Sequence, residues 1–212
     1  VGEVNGTATK TIDAKGRTLA PGFIDLHSHS DMPLVTDGNG QSKIRQGVTT
    51  EVIGESGSVA PRKEPSATQP WTDFAGYFAV IEKGGISPNL LSYVGTGTVR
   101  EMVVGEDERK ATPAEITSMQ QLVTTTMENP SVFGVSSGLI YPPNSYANVD
   151  ELSEVSKAVA GKGLYASHLR YDGPKLRDGI EEAIAIGERA DRQRDLLLDR
   201  IGLWLTNEVL EQ

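Results

Sequence analysis

The stretch Ala20-Pro21-Gly22-Phe23-Ile24-Asp25-Leu26-His27-Ser28-His29-Ser30-Asp31 constrains this chain more than any other. Behind a Pro-Gly pair, Phe23, Ile24 and Leu26 read as a short buried strand ending in two histidines one residue apart. Side chains alternate faces along a strand, so His27 and His29 project the same way. Two imidazoles at a strand end suit one divalent ion. A lone histidine in an apolar setting is usually a satisfied core residue, and the pairing favours metal over packing.

The rest of the chain repeats one pattern. Gln41 to Gln46 reads as a short helix stopped by Gly47, and the β-branched run Val48 to Ile53 as a second buried strand. Residues 61–70 are a polar, proline-punctuated loop. In Trp71 to Lys83, Phe74, Tyr77, Phe78 and Ile81 recur at helical spacing, an aromatic stripe that reads as core. Asn89 to Val94 is a third strand, with Gly95-Thr96-Gly97-Thr98-Val99-Arg100 as its exit loop. That glycine-rich turn lacks the Lys-Ser/Thr or Rossmann spacing of a nucleotide site.

Thr112-Pro113-Ala114-Glu115 is a capping box opening a helix to about Glu128. Val132 to Ser136 is a fourth strand, Val149 to Ala160 a helix, and Gly163 to His168 a fifth strand. Leu176 to Ala190 is a helix with Ile180, Ala183, Ile184 and Gly187 on its inner face. Strand, loop, helix, strand is the rhythm of a parallel (β/α) barrel, an α/β fold whose sites lie at the carboxyl ends of the strands. His27, Glu55 and His168 all fall at such ends.

Composition narrows the function classes. The net charge of −9 argues against nucleic acid or an anionic membrane surface as partner. No cysteine is present, which excludes disulfides and thiolate metal sites. No run of apolar residues reaches the roughly 18 needed to span a bilayer. The opening residues lack a basic start followed by an apolar run, so a cytoplasmic location is the expectation.

Pro21-Gly22-Phe23-Ile24-Asp25-Leu26-His27-Ser28-His29 resembles the first-strand motif of the amidohydrolase superfamily, metal-dependent hydrolases built on a TIM-type barrel. Gln46-Gly47-Val48-Thr49-Thr50-Glu51-Val52-Ile53-Gly54-Glu55, Ser136-Ser137-Gly138-Leu139-Ile140-Tyr141 and Tyr165-Ala166-Ser167-His168-Leu169-Arg170 narrow the resemblance to the N-acyl-D-amino-acid deacylase (D-aminoacylase) family. It runs from about residue 8 to about residue 190. The resemblance implies a zinc enzyme hydrolysing an N-acyl-D-amino acid, with metal ligands His27, His29, Glu55 and His168. Tyr141 would lie near the substrate or else be a packed aromatic. Arg170 would pair with a substrate carboxylate or else form a structural salt bridge.

The chain also departs from that family. Its common form resembles Gly-Asn-Cys-Gly-x-Ser-x-Ala-Pro after the second strand, with the Cys a metal ligand, whereas this chain has Gly54-Glu55-Ser56-Gly57-Ser58-Val59-Ala60-Pro61. Counting from the strand puts Ser56 in that position, and counting back from Ala60-Pro61 puts Glu55 there. An anionic carboxylate is the better zinc ligand, and the alternative is a solvated loop acid. The family's sixth-strand His and eighth-strand catalytic Asp find no match, and neither Asp172 nor Asp178 is nominated for that role.

The expected organisation is a remnant of a β-sandwich hairpin over 1–19, a partial barrel of about five βα units over 20–190, and an amphipathic helix over 191–212. At 212 residues the chain is shorter than the usual barrel of roughly 250. A half barrel exposes strand edges, so association into a homo-oligomer is expected. Two further readings stand beside the deacylase: an inactive fragment or interaction module, and a sister amidohydrolase acting on a cyclic amide or isopeptide.

Overall fold

Five runs of apolar and β-branched residues pair in strict chain order into one parallel sheet, β1-β2-β3-β4-β5. A computed structural model describes residues 6–190. The strands are β1 Phe23–Asp25, β2 Val48–Ile53, β3 Asn89–Gly95, β4 Val132–Gly138 and β5 Leu164–His168. Helices cross between them: α1 Asp31–Thr36, α2 Gln41–Ile44, α3 Phe74–Gly84, α4 Thr96–Val103, α5 Pro113–Thr126, α6 Val149–Ser156 and α7 Leu176–Ala190. This is a partial TIM-type barrel.

The core lies between the sheet and its helices. Ile53, Val94 and Val135, one from each central strand, are fully buried against residues such as Tyr77 of α3, Val123 of α5 and Ile186 of α7. Each such side chain contributes about 1.5–3 kcal/mol by leaving water. The aromatic stripe behaves as its spacing predicts, with Phe74, Tyr77 and Ile81 buried. The capping box also forms: Thr112 Oγ1 accepts the Glu115 N–H, and the Glu115 carboxylate accepts the Thr112 N–H.

Several sequence expectations are corrected. Phe23, Ile24 and Leu26 are 70%, 60% and 45% exposed rather than buried. β1 is an edge strand, and among the described residues no further strand covers its free side. Residues 6–22 carry no strand. Part of the hairpin expected over 1–19 lies outside the described residues; within 6–19 the chain makes a turn, with positive φ at Lys15 and Gly16 and Arg17 N–H bonded to Ala14 O. Gly95–Arg100 does not form an exit loop, since Thr96 onward winds directly into α4. The buried face of α7 is Gly179, Ala183, Ile186, Gly187 and Ala190, so Ile180 and Ile184 flank it rather than define it. The expected helix over 191–212 lies outside the described residues. Among the described residues no helix is long and apolar enough to cross a membrane.

Candidate metal centre

The alternation that defines a strand continues past the end of β1. Ser28 N–H donates to Val52 O at 2.9 Å, keeping the backbone beside β2 for another step. Ser28 therefore turns inward, 1% exposed, while His27 and His29 project the other way and reach solvent. Their rings meet edge to face, 5.1 Å between centroids, and the two Nε2 atoms lie 3.2 Å apart. Two nitrogens each about 2.0–2.1 Å from a tetrahedral zinc stand about 3.3 Å from one another, so the pair fits a shared ion without rearrangement. Loss of solvent around the His27 ring, with the neighbouring His29 and His168 imidazoles, pushes its pKa down. That favours the neutral ring, the form that ligates metal.

Glu55 sits two residues past β2 and is 5% exposed. Gly54 turns the chain there with φ +83°, and a side chain at that position would run into the Tyr93 carbonyl. Ser56 follows with φ 70°, its N–H donating to Ser136 Oγ at 3.0 Å, while that hydroxyl in turn donates to Gly54 O. The β2 exit is thereby stapled to β4. Burial pushes the Glu55 carboxyl up to about 7, opposed by a hydrogen bond from the His168 backbone N–H. Glu55 is thus neither solvated nor a free loop acid.

His168 ends β5, and the Tyr141 ring stands 5.3 Å from its imidazole. Tyr141 is 49% exposed, so the packed-core alternative does not describe it. Arg170 is committed elsewhere. Its Nε lies 3.0 and 2.9 Å from the two carboxylate oxygens of Glu182 on α7, and its terminal nitrogens donate to Ser145 O at 2.6 Å and Ala147 O at 2.7 Å. The salt-bridge alternative is the one the structure displays.

Of the four expected ligands, only His27 and His29 meet ring to ring, while Glu55 reaches the backbone N–H of His168 rather than its imidazole. Among the described residues no three His, Cys, Asp or Glu side chains converge tightly enough to hold an ion. β1 and β5 are opposite edges of the sheet, four inter-strand steps of about 4.8 Å apart, and only curling of the sheet brings their ends within electrostatic reach.

Sequence reasoning missed the buried side of this turn. Glu51 of β2 is fully buried, and its Oε2 accepts hydrogen bonds from the hydroxyls of Ser28, at 2.6 Å, and Ser30. The signal was present: a carboxylate inside a β-branched strand and a strict His-Ser-His-Ser alternation.

Residues 10–200 match the profile described as the amidohydrolase family. The chain belongs to that family. The amidohydrolase is 34% identical over 194 residues to the N-acyl-D-aspartate deacylase of Alcaligenes xylosoxydans xylosoxydans, covering 85% of this chain and 39% of that one. It is 33% identical over 205 residues to the D-aminoacylase of the same organism, covering 90% and 42%. The crystal structure of a D-aminoacylase superposes with a TM-score of 0.71 at 33% identity, over 80% of this chain and 38% of that one. A Bordetella bronchiseptica N-acyl-D-glutamate deacylase, solved with zinc and a phosphonate mimic of the tetrahedral intermediate, gives 0.72 at 30% identity, over 79% and 38%. The chain thus spans about two fifths of the length of these relatives.

Proposed function

We propose that this chain carries the metal-binding part of an N-acyl-D-amino-acid deacylase, a hydrolase acting on a linear amide bond. The observation that carries the reading is the convergence of His27 and His29 Nε2 to 3.2 Å at the carboxyl end of β1. These two imidazoles would hold the ion, zinc by analogy with the solved glutamate deacylase, and Glu55 and His168 would complete its shell. A divalent ion held there supplies Lewis acidity towards the amide carbonyl and an activated water. Glu55, buried, brings an anionic oxygen to the β2 exit when deprotonated. Tyr141 flanks His168 at the solvent side, where it would line the approach of the acyl-amino acid.

One observation favours a second reading. The exposed edge residues Phe23 and Ile24 suit a portion that works only when its barrel is completed by further chain or by a second copy. Zinc analysis of purified protein tests the first reading. Zinc near one per chain, lost in His27→Ala, supports it and directs assays to N-acyl-D-amino acids, with cyclic amides as comparison substrates. Protein that binds no zinc overturns it and leaves the second.

A further inference from the structure

We propose that Glu51 is a buried positioning residue that sets the geometry of the two-histidine turn. The inference rests on the metal-centre reading of His27 and His29. Along His27-Ser28-His29-Ser30 the two faces of the chain do different work. The imidazoles meet on one face, and on the other Ser28 and Ser30 both donate to Glu51 Oε2, with their hydroxyl oxygens 2.6 Å apart. His29 is thereby held on both sides by residues anchored to one carboxylate, and the Ser28 N–H on Val52 O fixes the backbone behind His27.

Packing gives no reason for a carboxylate there. Glu51 is fully buried on the same face of β2 as Ile53, which is wholly apolar and also fully buried. Taking a carboxylate out of water is costly, and two hydroxyl donors offset only part of that. Its other oxygen, Oε1, is buried with no hydrogen-bond partner. A β-branched residue would fill the position at lower cost. What the carboxylate supplies instead is a fixed acceptor for two serines, and hence a fixed separation of the two imidazole nitrogens. Groups standing behind metal ligands in this way orient them and typically change metal affinity 10–100-fold when removed.

The experiment measures zinc affinity by chelator competition and the visible spectrum of the Co(II)-loaded protein, which reads ligand geometry independently of turnover. Glu51→Met, and the apolar triple variant Glu51→Met/Ser28→Ala/Ser30→Ala, should bind zinc about 10–100-fold more weakly with an altered Co(II) spectrum. Glu51→Gln, which keeps an acceptor oxygen for both serines, should stay close to wild type. The triple variant also removes the two hydroxyls that Glu51→Met strands without their acceptor, so it keeps the test open if the single substitution unfolds the chain. Wild-type affinity and spectrum in the triple variant would overturn the inference while leaving the metal centre intact. Wild-type protein that takes up no zinc would instead sink the metal reading, and this inference with it.

Discussion

His27 Nε2 and His29 Nε2 lie 3.2 Å apart, about the distance at which one tetrahedral ion would hold them. Replacing either ring should therefore remove a first ligand rather than loosen a surface. With metal binding of about 10–16 kcal/mol shared among some four ligands, His29→Ala should weaken zinc by about 100-fold or more. Isothermal titration checks this, and an unchanged affinity would rule out the pair as ligands.

Gly138 ends β4 directly against Ser56, and a Cβ added there would overlap the Ser56 side chain. Gly138→Ala should cost about 1–3 kcal/mol in urea unfolding, as overpacking does. Ser56→Gly introduced together with it should recover most of that loss, because it clears the space and suits the φ of 70° at that position. Additive effects of the two substitutions would show that they do not meet.

Arg170 ties Glu182 of α7 to the carbonyls of Ser145 and Ala147 in the loop after β4. Lysine keeps the charge but not the planar fork, so Arg170→Lys leaves the carbonyls of Ser145 and Ala147 without their guanidinium donors. A loss of about 1–3 kcal/mol is expected, seen as a lower urea midpoint at unchanged slope. A midpoint equal to wild type would show that the fork does not hold these elements together.

Glu115 closes the capping box of α5 and accepts hydrogen bonds from Arg109, which together hold its carboxyl down at about 2. Its folded pKa lies below the unfolded value of 4.5, so its contribution is present above about pH 4.5 and fades as pH falls towards 2. Glu115→Gln should flatten that part of the acid-unfolding curve and leave the neutral limb parallel to wild type. An identical acid limb in the variant would show that another carboxylate governs it.

Much of the fold was legible because its signals are local. The capping box at Thr112, the aromatic stripe from Phe74 to Ile81 and the run Val48–Ile53 each declare an element within a few residues, and each is found. The misses are non-local. Burial of Phe23 and Ile24 depends on what stands beside β1, which a hydrophobic run does not report. The roles of Glu51 and Arg170 depend on partners 21–23 and 12–31 residues away, invisible to spacing. His27 and His29 were readable because strand alternation alone brings them together, whereas the distance from either to His168 depends on how far the sheet curls.

Each strand from β2 to β5 lies next to its immediate predecessor in the chain. Every strand therefore finds its template already synthesised when it leaves the ribosome, and the sheet can grow one βα unit at a time. No contact within it waits on a residue made much later, so the loop-closure entropy of each step stays modest. The step such an order leaves for last is joining the two outer strands to whatever closes the ring.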